Sequence, residues 1–460
     1  MKLLTLIILL TTLLAPSAPT ALSAKTPNIL FIITDQHHAN MLSSAGNPYL
    51  KTKALDGMAK SGIRFTNAYV TNPVCVPSRI SMATGVMPGR FGVFNNGMKA
   101  NIPKEVGDNS LGKLIKSGGY DTFYGGKVHM APVLSPLKAG YDEFCKDQRD
   151  ELPEVCIEFM IRKRDKPFFA VASFINPHDI CFAYNARQPN RKGKPLVDAL
   201  YKEAEALPED KLPPLPANHA IPKREPEVIE ATMKVTATTP AKLMRKDYNE
   251  RDWRNYRWIY CRLTERVDAQ IGRLLDALKK NGLEANTLVV FTSDHGDMDG
   301  SHRLASKNVF YENSTGVPFI MQYKGVIPPN QVDEKSLVSN GLDLVPTLCD
   351  YAGVSPPEYL LGRSLRLVAE NQKDNSRRPF VVAENSTGRM LRTSRFKYCV
   401  YKEGEIRESL VDLVKDPGEM HNLAGRKGFE KHLNKHRELM QNWITESKDD
   451  KAKAFAVAPK

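Results

Sequence analysis

Three short apolar runs in this 460-residue chain end in the same kind of chemistry. Asn28 to Thr34 (NILFIIT) runs into Asp35-Gln36-His37, Phe168 to Phe174 (FFAVASF) into Asn176-Pro177-His178-Asp179, and Leu288 to Ser293 (LVVFTS) into Asp294-His295-Gly296. A continuous apolar run of this length keeps no face for water, so it fits a strand buried on both sides of a largely parallel sheet. Ligands gather at the carboxyl ends of such strands, so the three polar endings predict one shared site. Helical patterns lie between the runs. The clearest spans Arg262 to Asn281, with Val267, Ile271, Leu275 and Leu278 on one face and Gly282 as C-terminal cap. Strand and helix alternate, so the predicted class is α/β, a central mostly parallel sheet flanked by helices.

The length is about three times that of a usual domain, which predicts one large domain and a smaller one. At the N-terminus, Lys2, the apolar run Leu3 to Leu14 and the small residues ending at Ala21-Leu22-Ser23-Ala24 read as a secretory signal peptide over residues 1–24. The run is too short to cross a bilayer as a helix, and Pro16 and Pro19 break its continuation. The expectation is a secreted or periplasmic protein with no stable membrane anchor. A catalytic domain is expected over 25–373. Within it, residues 183–252 are rich in proline and mixed charge, including LPPLP at 212–216, and read as an insertion running over the surface. Phe380 to Ala383 and Phe396 to Tyr401 read as short strands, and Lys427 to Asp449 as a terminal helix, giving a small C-terminal subdomain over 374–460.

Lys and Arg number 65 against 52 Asp and Glu, a formal charge of +13. That balance favours a polyanionic partner, whether nucleic acid, an anionic membrane or a sulfated or phosphorylated substrate. Hydrophobic content of 42% and charged content of 25% exclude a disordered or fibrous chain. Seven cysteines are too few for a disulfide scaffold and leave one sulfur over.

Cys75 lies in Cys75-Val76-Pro77-Ser78-Arg79, followed by Thr84-Gly85. Pro77 suits the first turn of a helix, which places Cys75 at a helix N-terminus, where free backbone N–H groups favour an anion, with Arg79 one turn on. This run resembles the maturation signature of the formylglycine-dependent (type I) sulfatases, in the alkaline-phosphatase superfamily. The resemblance continues through NILFIITDQ at 28–36, GIRFTNAYV at 62–70, GGYDTFYGGKVH at 118–129, NPHD at 176–179, SDHGD at 293–297, Lys307 before Tyr311-Glu312, VPFI at 317–320 and LVDLVKDPGEMHNLA at 410–424. It implies an alkaline-phosphatase-like sheet and a C-terminal subdomain of antiparallel strands plus a helix.

The resemblance further implies that a sulfatase-maturing enzyme, such as a formylglycine-generating enzyme, oxidises Cys75 to formylglycine (3-oxoalanine). One hydroxyl of the hydrated aldehyde attacks sulfur, and the second allows collapse to the aldehyde with release of sulfate. Asp35, Gln36, Asp294 and His295, with residue 75, are the implied metal ligands, for Ca2+ or, second, Mg2+. The family commonly has aspartate where Gln36 stands and asparagine where His295 stands, so one negative charge is lost. By the same matching, Arg79 and Lys127 hold the formylglycine and sulfate oxygens, His129 takes the proton of the spare hydroxyl, and His178 or Lys307 protonates the leaving oxygen.

His37, His38 and His302 lie near the same loops and either line substrate subsites or pack. Arg303, Asn385, Arg389 and Arg392 are candidates for sugar contacts. The implied activity is hydrolysis of sulfate esters on a polysaccharide, oligosaccharide or glycosaminoglycan. The charge excess then narrows to a sulfated partner, with no nucleic acid. The alternatives are a phosphonate or phosphodiester hydrolase built on the same site, and a non-catalytic polyanion-binding protein.

Overall fold

The computed structural model describes residues 26–188, 193–233, 241–374, 378–453 and 455–459, so the expected signal peptide at 1–24 lies outside the described residues. The large sheet is built from β1 (Asn28–Asp35), β2 (Ile63–Phe65), β4 (Asp121–Gly126), β5 (Glu143–Cys145), β6 (Phe168–Pro177), β7 (Thr287–Ser293), β8 (Phe319–Gln322) and β9 (Gln331–Asp333), while β3 (Ala68–Tyr69) and β10 (Val338–Ser339) pair separately. Its spatial order is β5-β4-β6-β1-β7-β8-β2-β9. The first five strands of that order are mutually parallel, and β8 is antiparallel to both neighbours. The three apolar runs are therefore the three central strands.

Alternate residues of β1 enter opposite cores, as the two-residue period of a strand requires. Ile29, Phe31 and Ile33 pack with Phe169, Val171 and Val290 under the helices Leu111–Ser117 and Asn340–Ala352. Leu30 and Ile32 pack with Ala170, Ala172, Val289 and Phe291 under the helices Lys53–Lys60, Leu152–Ile161 and Glu250–Lys280. Truncating one such fully buried side chain to alanine costs about 2–5 kcal/mol.

The long helix begins at Glu250, not Arg262, because Asn249 and Asp252 form a reciprocal cap there: the Asp252 N–H donates to Asn249 Oδ1 at 2.9 Å and the Asn249 N–H to Asp252 Oδ2 at 3.0 Å. Residues 183–188, 193–233 and 241–252, the described part of the expected insertion, do not run loosely over the surface. They form the helices Ala183–Arg187, Pro195–Ala206, Val228–Thr232 and Ala241–Asp247, and Tyr184, Val197, Leu212, Met244 and Tyr248 make a core with Trp253, Tyr256 and Ile259.

Strands β11 (Phe380–Glu384), β12 (Gly388–Thr393), β13 (Phe396–Tyr401) and β14 (Glu408–Asp412) form an antiparallel meander. One face, through Leu391, Tyr398, Val400 and Leu410, packs on Leu433, Met440, Trp443 and Ile444 of the helix Glu430–Ser447. The other, through Val381, Met390, Cys399 and Tyr401, packs on Met298, Val309 and Phe310 of the large domain. No disulfide joins any of the seven cysteines. Among the described residues no helix is long and apolar enough to cross a membrane.

Candidate active site

Parallel pairing of β1 with β7 sets Thr34 opposite Ser293, so Asp35 and Asp294 emerge side by side. A register irregularity between β1 and β6 brings Asp35 level with Pro177, next to His178. The helix Cys75–Thr84 points its first residue at the same place. Val74 enters it extended (φ −144, ψ 142), Pro77 occupies the first turn, where its missing N–H is not needed, and Gly85 closes it in the left-handed region at φ 70. Asn96 Oδ1 accepts from the Val76 N–H at 3.0 Å, fixing the helix start. Cys75 is 0% exposed.

Arg79 locks the assembly. Its Nε donates to Asp294 Oδ2 at 2.7 Å, its Nη2 to Asp35 Oδ2 at 3.1 Å, and its Nη1 to the Lys127 carbonyl at 2.9 Å and Ser173 Oγ at 2.8 Å. Lys127 Nζ also pairs with Asp35 Oδ2. These contacts engage the Oδ2 atoms and leave the Oδ1 atoms turned towards His295, whose Nε2 is 3.7 Å from Asp35 Oδ1, 3.4 Å from Asp294 Oδ1 and 3.1 Å from Cys75 Sγ, while Asp294 Oδ1 also accepts from the Gln36 N–H at 3.1 Å. His295 Nδ1 is 2.9 Å from the Gly296 carbonyl, which can only accept, so Nδ1 carries the proton and Nε2 presents a lone pair to the cluster. Asp35, Cys75, Asp294 and His295 thus form a buried group of four metal-capable side chains with ligand atoms within 4.8 Å of one another. Two carboxylate oxygens and an oriented imidazole nitrogen fit a divalent cation.

Gln36 adopts φ 64 and turns its side chain across the same opening. Its amide nitrogen donates to Asp297 Oδ2 at 2.7 Å, while its Oε1 accepts from Lys307 Nζ at 2.8 Å and from the Cys181 thiol at 3.2 Å. Lys307 Nζ lies 3.2 Å and Lys127 Nζ 3.8 Å from Cys75 Sγ. Burial and Asp35 resist ionisation of the Cys75 thiol, but Lys127, Lys307 and His295 override them and hold it well below the usual thiol range. Position 75 is therefore built for negative charge. Burial likewise opposes the Asp35 carboxylate, and Lys127, His178, Arg79 and Lys307 outweigh it to hold Asp35 well below the ordinary range. Burial and the neighbouring Asp35 raise Asp294. At His178, burial disfavours the imidazolium, yet Cys181 and Asp35 push it up to about 9.

A cavity of about 390 Å³ opens beside Cys75, with His178, Cys181 and Lys307 at its base and Asn95, Asn96 and Asn308 on its walls. Of the residues singled out in the sequence, Asp35, Gln36, Cys75, Arg79, Lys127, His178, Asp294, His295 and Lys307 meet at this one place. His129 is exposed at φ 43 beyond Lys127 and is not among the groups hydrogen-bonded around Cys75.

The six substrate candidates do not line this cavity. His37 is fully buried, its Nε2 2.7 Å from the Met41 carbonyl, and burial pushes it down to about 3, so it packs beneath the sheet end. His302 is fully buried and stacks on Tyr311 with ring centres 3.9 Å apart, and Arg303 follows it in a left-handed turn (φ 53). Asn385 Oδ1 accepts from the Thr387 and Gly388 N–H groups, which shapes the turn from β11 to β12. Arg389 is buried between the Phe94 and Phe455 rings and paired with Asp449 and Glu384. Arg392 lies over Tyr69 and donates to Asn67 Oδ1 at 3.2 Å. Arg389 and Arg392 thus meet partners distant in sequence, which account for their charge inside the fold.

Asp297, Ser173, Cys181, Asn96 and Tyr256 support the site without having been singled out. Tyr256 Oη donates to the Asp297 carboxylate at 2.9 Å. Asp297 stands inside the SDHGD run beside Asp294, and Tyr256 precedes Tyr260, whose hydroxyl donates to the Gln36 carbonyl at 2.6 Å, by one helical turn. Those spacings were the available signals.

A family model described as "Sulfatase" matches residues 27–354, and one described as "N-sulphoglucosamine sulphohydrolase, C-terminal" matches residues 300–446. The chain is 30% identical over 463 residues to the Delta 4,5-hexuronate-2-O-sulfatase of Bacteroides thetaiotaomicron, covering 95% of this chain and 92% of that one. It is 26% identical to the Ulvan-active sulfatase of Formosa agariphila, over 88% of this chain and 78% of that one. Among solved structures, a 2-O GAG sulfatase superposes with a TM-score of 0.80 at 29% identity, covering 94% of this chain and 95% of its own. The matched family region carries both carboxylate-bearing strands, the Cys75 helix and both lysines, the same parts that the geometry brings together around one anion-ready position. The chain belongs to the formylglycine-dependent sulfatase family of the alkaline-phosphatase superfamily.

Proposed function

We propose that the protein removes sulfate from a sulfated polysaccharide, oligosaccharide or glycosaminoglycan, with Cys75 converted to formylglycine by a maturing enzyme and a calcium ion, or second magnesium, held by Asp35, Gln36, Asp294 and His295. The observation that carries this reading is the placement of position 75, at a helix start between two lysine ammonium groups and beside an imidazole lone pair and two carboxylate oxygens. The modified residue supplies an oxygen nucleophile, and the cation favours its deprotonated form. Arg79 orients the two aspartates by occupying their Oδ2 atoms. Lys127 and Lys307 flank the position of the nucleophile and neutralise charge on the sulfate oxygens. His178, protonated at neutral pH, borders the cavity through which the alcohol leaves, and with Lys307 it is placed to donate the proton.

The carbohydrate assignment is supported by the named activities of the relatives and by walls bearing side-chain amides, which pair with hydroxyl groups. Export to the periplasm or medium is part of the proposal, supported by Lys2 and the apolar run at 3–14. The test is sulfate release by the matured enzyme from an aryl sulfate and from a panel of defined sulfated oligosaccharides, beside an aryl phosphodiester. Sulfate release from the saccharides that disappears in Cys75→Ala is expected. Turnover of the phosphodiester alone would overturn the reading.

A further inference from the structure

A second cleft, of about 510 Å³, lies on loops that continue from the catalytic strands, three residues beyond Asp35 and five beyond Asp294. Two buried polar groups border it, His38 and Asp299, each 3% exposed. The Asn40 N–H donates to His38 Nδ1 at 3.2 Å, so the ring proton sits on Nε2. That Nε2 and Asp299 Oδ1 both lack a hydrogen-bond partner, and Nε2 is 3.7 Å from Asp299 Oδ2, beyond hydrogen-bond reach. A buried donor on one residue and a buried acceptor on its neighbour are thus left open, which is unfavourable unless a ligand or water meets them. A hydroxyl group, which donates and accepts through one oxygen, completes both.

The rest of the lining narrows the ligand. Arg257 is the one arginine or lysine there, and it is committed, with Nε and Nη2 each 3.1 Å from Asp299 Oδ2 and Nη1 on the Pro214 carbonyl. The cleft therefore offers no spare arginine or lysine to a sulfate or carboxylate. It offers instead the side-chain amides of Asn218 and Asn313 and the ring of Tyr49, which is 40% exposed. Amides, an acceptor carboxylate and an exposed aromatic face suit the hydroxyls and the C–H face of a pyranose.

We propose that this cleft is a second saccharide site, separate from the sulfate-cleaving centre, that binds uncharged hydroxyl-bearing sugar units. As a docking point for the rest of a long substrate it rests on the polysaccharide reading above, but its binding chemistry is independent of catalysis. The test uses calorimetric titration of the full-length Cys75→Ala protein with chemically desulfated hexasaccharides of galactan and of glycosaminoglycan. Binding is expected, unchanged by Lys307→Ala and weakened by about tenfold or more, roughly 1.4 kcal/mol, in Tyr49→Ala and in Asp299→Asn. In matured enzyme, Tyr49→Ala is expected to leave aryl sulfate hydrolysis unchanged and to raise KM for a sulfated hexasaccharide at constant kcat. No binding of either desulfated probe, or binding indifferent to both cleft substitutions, overturns the proposal and leaves the cleft to water. Absence of aryl sulfate hydrolysis would instead strike the catalytic reading and leave the titration result standing.

Discussion

Gln36 donates its side-chain amide to the buried carboxylate of Asp297 across 2.7 Å, and so turns its carbonyl oxygen towards Lys307 Nζ, 2.8 Å away. An amide can serve both sides at once. A carboxylate here would face the Asp297 carboxylate, which burial already raises above its usual range. Gln36→Glu is therefore expected to destabilise the fold by about 3–5 kcal/mol, the scale of an uncompensated buried charge, and Asp297→Asn added to it is expected to restore most of the loss. Urea unfolding of the two single variants and the double variant measures this, and a double variant no better than Gln36→Glu would refute the pairing.

Lys307 lies closest of the cations to Cys75, at 3.2 Å. Lys307→Ala is expected to lower kcat on the order of 10²–10³-fold, because charge develops there on the reacting sulfate. Lys307→Arg should recover little, since a planar fork does not reproduce a compact ammonium group. Steady-state kinetics on an aryl sulfate reads both, and wild-type kcat in Lys307→Ala removes Lys307 from the mechanism.

Removal of the proposed cation is expected to have a structural consequence as well as a kinetic one. The Oδ1 atoms of Asp35 and Asp294 lie within 4.8 Å of each other and of His295 Nε2. A strong chelator is expected to abolish turnover and lower Tm, with calcium restoring both more fully than magnesium. An unchanged Tm and rate after exhaustive chelation would count against the four ligands.

Lys397 is buried between two carboxylates, 3.1 Å from Glu312 Oε1 and paired with Glu419. Burial and Glu312 already raise Glu419 to about 7 against the pull of Lys397. Lys397→Met strands both carboxylates and is expected to cost about 3–5 kcal/mol at alkaline pH, with part of it recovered as pH falls towards about 7 and Glu419, freed of the lysine's pull, protonates. Thermal unfolding across that pH range measures the recovery.

Asp268 caps the helix Lys53–Lys60 by accepting from the Ala54 and Leu55 N–H groups at 3.0 and 2.9 Å, and burial raises its carboxyl from 3.8 to about 6. The folded protein then binds this proton more readily than the unfolded chain, so the group stabilises the fold at low pH and that advantage fades as pH rises from about 4 through about 6. Relative to Asp268→Asn, the wild type is expected to lose roughly 3 kcal/mol over that window and to change little above it. A pH-independent gap between the two would contradict the burial argument.

The central strands were legible because β1, β6 and β7 are apolar on both faces, and the polar residues at their ends could only converge. Much of the remainder depended on partners that a linear reading cannot pair. The two- and three-residue strands β2, β3, β9 and β10 are too short to show a period. The first turns of the long helix, Arg251 to Tyr260, hide their buried face among arginines that bond the carbonyls of the insertion, as Arg254 does with Pro213 at 3.2 Å. Arg389 and Arg392 read as candidates for sugar contacts, yet aromatic rings and acceptors from other segments enclose them. The cluster at Cys75 was visible in its parts, but the commitment of each Oδ2 to Arg79, and with it the turn of each Oδ1 towards His295, exists only once the strands are paired.

The C-terminal meander meets the large domain through opposite charges as well as apolar side chains: Lys397 with Glu312, Arg392 over Tyr69, and the Gly89 N–H on Glu384. Every one of these contacts takes half of its bond from each side. Such a seam cannot be exchanged like a plug-in module, because a foreign partner would inherit unpaired buried charges. Grafting a new carbohydrate-recognition unit onto this enzyme therefore calls for fusion after Ala456 rather than replacement of the meander.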